Sequence, residues 1–188
     1  MSHTIFENGI GYEGKVTLTL KSNNRVLGSK VYKNKGTLQL FRFLGHCLIG
    51  DYAEAAKLLP AKIVLLRNRS ANNTADASPT SQIEPCTRPK ERIQTPTIIS
   101  DSDKEQVRVI YNFEVPKTAI FEPFNQIALY GTGMKYPTDL AEFSAYYFLT
   151  NTDGTFDLQE PENWSTTTIL LIDWELTISN KNVDTNNN

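Results

Sequence analysis

The sequence predicts a mainly β fold, an antiparallel β-sandwich with one helical excursion after the first hairpin. Three observations predict it. Apolar and polar residues alternate at period two in 15–20, 106–115 and 166–179, the signature of half-buried strands. Turn signals separate the runs, "KSNNR" at 21–25 after the first and Asp153–Gly154 before the last. Only one long stretch, 36–52 ("GTLQLFRFLGHCLIGDY"), switches to helical spacing. Strands do not alternate regularly with helices, which argues against a doubly wound α/β fold.

Taken in order, residues 1–14 form a lead-in. Val16, Leu18 and Leu20 then face one side of a first strand, and Lys15, Thr17 and Thr19 the other. "VLGSKVYK" (26–33) returns as the second strand of a hairpin. In the helix, Leu40, Phe41, Leu44, Cys47 and Leu48 share a face, with Gln39, Arg42 and His46 opposite. Thr37 is its expected N-cap and Gly50 its stop. A short second helix opens on Asp51 and Glu54, spaced like a capping box, and ends at Pro60. "AKIVLLRN" (61–68) reads as a buried strand. Residues 69–91 are small, polar and proline-containing and read as one long loop. "RIQTPTII" (92–99) reads as an edge strand, since Pro96 has no N–H for a ladder. Strands follow at 106–115, "NQIALYG" (125–131), "AYYFLT" (145–150) and 166–179. The domain thus runs from 15 to 179, and 180–188 is an expected flexible tail.

Composition bounds function. The chain has 188 residues, enough for one domain with a real core. Its 19 basic and 21 acidic residues give a net charge of −2, without the basic surplus that electrostatic nucleic-acid binding needs. No specific nucleic acid is therefore expected as a partner. No apolar run is long enough for a membrane span, and the N-terminus lacks the basic-then-apolar order of a secretory signal. Synthesis and assembly in a cytoplasm are expected. Two cysteines cannot staple such a chain, so Cys47 and Cys86 read as free thiols, with Cys47 buried.

Five patterns invite a chemical reading. Asp173 and Glu175 flank Trp174 in "LLIDWELTIS" (170–179), on one face of a strand and about 6.5–7 Å apart along it. Glycosidase carboxyls span roughly 5–9.5 Å but lie on opposite sides of the scissile bond. These two point the same way, so they read as a solvated or interface face. "GIGYEG" (9–14) matches G-x-G-x-x-G, yet a strand rather than a helix follows it. "NTDGTFDLQE" (151–160) imitates a calcium loop, but Leu149 stands at the first ligand position, so a hairpin turn is expected. His46 and Cys47 are helix neighbours and cannot face each other, and His3 lies in the lead-in, so no metal spacing emerges. The aromatics of the C-terminal half read mainly as core. Tyr147, on the face opposite Tyr146 and Phe148, and Trp164 are the candidates for an exposed site.

The order of elements carries a resemblance. "GKVTLTLKSNNRV" leads through "VYKNKGTLQLFRFLGHCLIGDY" to "LPAKIVLLRN", and "FNQIALYG", "AEFSAYYFL" and "TTTILLIDWELTISN" close the chain. It resembles small virion structural proteins of tailed bacteriophages, over most of the chain outside 69–91. That family brings no agreed active-site residues to transfer. The resemblance implies a non-enzymatic part without cofactor, held in a symmetric tail or neck assembly (ring, connector or baseplate) by contacts with other virion proteins and with its own copies. Asp173, Glu175, Tyr147 and Trp164 are the expected interface residues. The alternatives are a head decoration protein and a module that binds host glycan.

Overall fold

A computed structural model of the chain describes residues 8–36, 38–68, 83–124, 126–131, 147–150 and 163–182. Ten strands and two α-helices are described. In chain order they are β1 (Asn8–Ser22), β2 (Arg25–Gly36), α1 (Leu38–Leu48), α2 (Tyr52–Leu58) and β3 (Pro60–Asn68). Next come β4 (Ile83–Pro85), β5 (Lys90–Glu91), β6 (Thr97–Asp101) and β7 (Gln106–Pro116). β8 (Gln126–Gly131), β9 (Tyr147–Thr150) and β10 (Thr168–Asn182) complete the order.

Every pairing is antiparallel. One sheet runs β2-β1-β10-β7-β6 and the other β4-β3-β8-β9, and the end of β2 joins them by pairing Gly36 with Tyr147. The mainly β fold with its helical excursion after the first hairpin is the observed architecture. The β1–β2 turn explains the tight hairpin: Asn23 and Asn24 both adopt positive φ (49° and 64°), which asparagine tolerates and a two-residue turn requires.

The core fills the space between the sheets. Val16, Leu18 and Leu20 of β1, Tyr111, Phe113 and Val115 of β7, and Leu170, Ile172, Trp174 and Leu176 of β10 face inward from one side. Ile63 and Leu65 of β3 and Ile127 and Leu129 of β8 meet them from the other. Each strand supplies alternate residues, so the period-two pattern and the buried set coincide. In β3 the intervening Val64 and Leu66 are fully buried too, as is Ala128 beside Val64. A strand covered on both faces reads as an unbroken apolar run, which is why "IVLL" does not alternate.

Four expectations need correction. The strand begins at Asn8 rather than Lys15, because Asn8–Gly14 continue the ladder against Leu176–Asn182 of β10. The same pairing carries β10 through Asn180–Asn182, into the expected tail. "GIGYEG" is thus strand, and no helix follows it directly. Residues 83–91 of the expected 69–91 loop pair instead with a strand: β4 and β5 both join β3, and Cys86 and Thr87 between them are 0% exposed. Cys86, not Cys47, is the buried thiol; neither is in a disulfide. The edge position expected for 92–99 belongs to β6, which ends the strand order. Residues 69–82, the calcium-loop imitation at 151–160, His3 and Thr37 lie outside the described residues.

The segment 83–93 ties the two sheets together. The Cys86 N–H donates to the Leu65 carbonyl (2.7 Å), and the Arg92 N–H donates to the Ala61 carbonyl (3.2 Å), both on β3. One residue on, the Ile93 N–H donates to the Asn112 carbonyl (2.9 Å) on β7 of the other sheet. The Phe121 N–H donates to the Cys86 carbonyl (3.1 Å), fixing the chain just past the 3₁₀ turn at Lys117–Ala119.

Candidate functional site

Alternation in β10 sends Asp173 and Glu175 to the outer face while Trp174, between them, is wholly buried. The register sets their neighbours: Asp173 lies between Thr17 and Asn112, and Glu175 between Lys15 and Ile110. Glu175 is held by two cations, Lys15 Nζ at 3.5 Å and Arg108 Nη1 at 3.6 Å, and its side chain is only 15% exposed. Asp173 accepts a hydrogen bond from Asn112 Nδ2 (2.6 Å), and Asn112 Oδ1 accepts one from Gln94 Nε2 (2.6 Å). The outer face is therefore a polar lattice running across β1, β10 and β7. Its acids are engaged with neighbours on the same face, an arrangement that fixes strand register and surface charge. Both acids point the same way from one strand, whereas the carboxyls of glycoside hydrolysis flank the scissile bond.

Farther along this face, a shallow cleft of about 210 Å³ is lined by Lys21, Asn23, Asn24, Glu114, Thr167, Ile169 and Leu171. Hydroxyls cluster close by: Ser22 Oγ lies 2.8 Å from Thr167 Oγ1, which lies 2.9 Å from Ser165 Oγ.

The two aromatic candidates part company. Trp164 is 6% exposed and meets Phe124 edge-on, ring centres 6.4 Å apart, so it is a core residue and not a platform for a ligand. Tyr147 lies in β9, opposite Gly36 on one side and Leu129 on the other. The four expected interface residues do not form one site. Asp173 and Glu175 share the outer face, Trp164 is internal, and Tyr147 belongs to the opposite sheet.

Sequence reasoning missed the elbow between the helices. Leu48, Ile49 and Tyr52 are 82%, 77% and 73% exposed there. Leu48 was expected on the packed face of α1, yet α1 rests chiefly on α2 and touches the sheets little. Among the described side chains of α1, Phe43 and Leu44 reach the core. The elbow is tightly built. Gly50 takes φ +76° as the stop, and the Asp51 N–H donates to the His46 carbonyl (2.9 Å). Asp51 Oδ1 caps α2 by accepting from the Glu54 N–H (3.3 Å), and its Oδ2 accepts from His46 Nδ1 (3.1 Å). His46 thus positions the cap and does not face Cys47 as a base.

Among the described residues no group of three His, Cys, Asp or Glu could hold a metal ion, and no helix is long and apolar enough to cross a membrane. No family model, curated protein or solved structure matches the chain.

Proposed function

We propose that this protein is a non-enzymatic structural subunit that works through protein–protein contacts in a symmetric assembly, the tail or neck of a bacteriophage virion. The observation that carries the contact reading is the distribution of exposed apolar residues. They group at two places, Val26, Leu27 and Val31 on β2 (51–60% exposed) and Leu48, Ile49 and Tyr52 at the elbow, beside isolated ones such as Ile93, Ile98 and Phe121. A subunit with several neighbours needs several such surfaces, whereas single scattered apolar residues would need no explanation. Among the described residues β6 ends the strand order, and a neighbour's strand can pair with such an edge. The virion setting comes from the resemblance described above.

The test is the protein composition of purified phage particles made from the genome that encodes the chain. The expected result is the chain in stable, symmetry-related stoichiometry with known tail or neck components. Finding it only in the soluble lysate, free of particles, refutes the proposal. The glycan-binding alternative loses one of its named aromatics, because Trp164 is internal.

A further inference from the structure

We propose that the α1–α2 elbow is a self-association surface, on which two copies of the chain pack elbow to elbow about a two-fold axis. This deepens the assembly reading by naming one partner as a second copy. Leu48, Ile49 and Tyr52 project from adjacent turns, all more than 70% exposed. Side chains of this size offer about 150 Å² each, so roughly 450 Å² per copy. Ala53 and Ala56, also exposed on α2, extend the patch and let a neighbouring backbone approach closely. Two such patches together bury about 1,000 Å², the lower bound for a specific interface.

Three further features favour a second copy. First, the elbow is prefolded by the Gly50 stop, the Asp51 cap and the His46 contact, so little ordering entropy is lost on contact. Second, the charged rim is self-compatible, because Glu54 and Lys57 already form an ion pair and present no net charge to a copy of themselves. Third, an anionic lipid surface would need uncompensated basic residues around the patch. Here Lys57 on α2 is paired with Glu54, and the whole chain carries −2. The cleft described on the outer sheet face is lined by Lys21, Glu114 and two asparagines, a poor complement to an apolar knob.

The experiment is sedimentation velocity on the full chain from sub-micromolar to hundreds of micromolar, with Leu48→Asp, Ile49→Asp and the control Ile98→Asp. The expected result is a concentration-dependent dimer that either elbow variant weakens roughly a hundredfold, since each change acts twice across the axis. Ile98→Asp is expected to leave the dimer intact. Circular dichroism and thermal melting check that all three variants remain folded. A wild-type monomer throughout overturns the proposal, and so does a dimer that survives both elbow changes. A concentration-independent loss of several degrees in the melting midpoint of Leu48→Asp also overturns it, by placing the elbow against its own chain. Wild-type retention on anionic vesicles that Leu48→Asp abolishes overturns it in favour of lipid. Particle composition is a separate readout, so a monomeric chain found in virions removes the dimer alone, and a dimer missing from virions removes the virion reading alone.

Discussion

Replacing Thr87 by valine removes a buried hydroxyl that accepts a backbone N–H and keeps the branched shape of the side chain. Thr87 is 0% exposed, and its Oγ1 accepts the Leu65 N–H at 3.1 Å. The Leu65 carbonyl points the same way, accepting from the Cys86 N–H. In an antiparallel strand the N–H and C=O of one residue share a side, so this N–H points away from β8. The Thr87 hydroxyl thus stands in for a missing strand between β4, which ends at Pro85, and β5, which begins at Lys90. Valine keeps the branched shape and leaves the Leu65 N–H buried without an acceptor. A buried donor stripped of its partner costs about 1–3 kcal/mol. Serine keeps the hydroxyl and loses one methyl, about 0.8 kcal/mol of burial with a small cavity term.

The assay is equilibrium urea unfolding of wild type, Thr87→Val and Thr87→Ser, with midpoint and slope fitted together. The expected order of stability is wild type, then serine, then valine, with unchanged slopes. In a thermal melt the valine variant is expected to lose roughly 2–12 °C, at about 2–4 °C per kcal/mol for a chain of this size. If valine matches wild type within about 0.3 kcal/mol while serine is the weaker of the two, packing and not the hydroxyl holds this segment. The reasoning about segment 83–93 then fails.

Other consequences are open to measurement. Glu175→Gln leaves Lys15 and Arg108 facing each other across β10; a loss of about 1 kcal/mol is expected, shrinking in molar salt because both cations are partly solvated. Equal losses at low and high salt would contradict the ionic account. Burial pushes the Tyr111 phenol up to about 12, with the Arg92 charge working the other way. The unfolded chain loses that proton near pH 10 and the folded chain keeps it, so stability holds below pH 10 and falls by roughly 2 kcal/mol as pH rises to 12. Tyr111→Phe is expected to flatten that alkaline limb in urea midpoints against pH, and an unchanged limb assigns the loss to other groups. Gly50→Ala meets no atom within 4 Å at its new Cβ, so only the φ of +76° opposes it. A loss of about 1–2 kcal/mol is expected by thermal melting. A neutral result would show that the elbow relaxes out of the left-handed region.

How much of this was legible depends on what each segment answers to. β1, β7 and β10 were plain because one face of each meets a core and the other meets water, and binary burial writes itself as period two. The hairpin turn was plain because its two asparagines serve a local backbone demand. Residues 83–93 were hidden because their order is entirely tertiary. Pro85 and Pro89 interrupt any ladder, β4 and β5 are three and two residues long, and a threonine side chain replaces a backbone partner. No local periodicity can report such a segment. The outer ends of β1 and β10 were hidden for a related reason, since Gly9, Gly11 and Gly14 on one side and Asn180–Asn182 on the other have weak strand propensity and are strands only because they pair with each other.

The elbow shows the converse limit. Helical periodicity at 38–48 correctly announced α1, Gly50 its stop, and Asp51 the start of α2. Periodicity reports that an apolar face exists, not what covers it. Phe43 and Leu44 on the same helix reach the core, while Leu48 one turn later stands 82% exposed. If burial within the chain had been the sole pressure on this helix, its last turn would carry polar residues, as Arg42 does on the exposed side. Leucine, isoleucine and tyrosine clustered at a rigid, capped corner are instead what a contact surface requires, since exposed apolar clusters invite aggregation unless a partner covers them. A site invisible to motif reading thus emerges where sequence and structure disagree, and Leu48 is the residue at which they do.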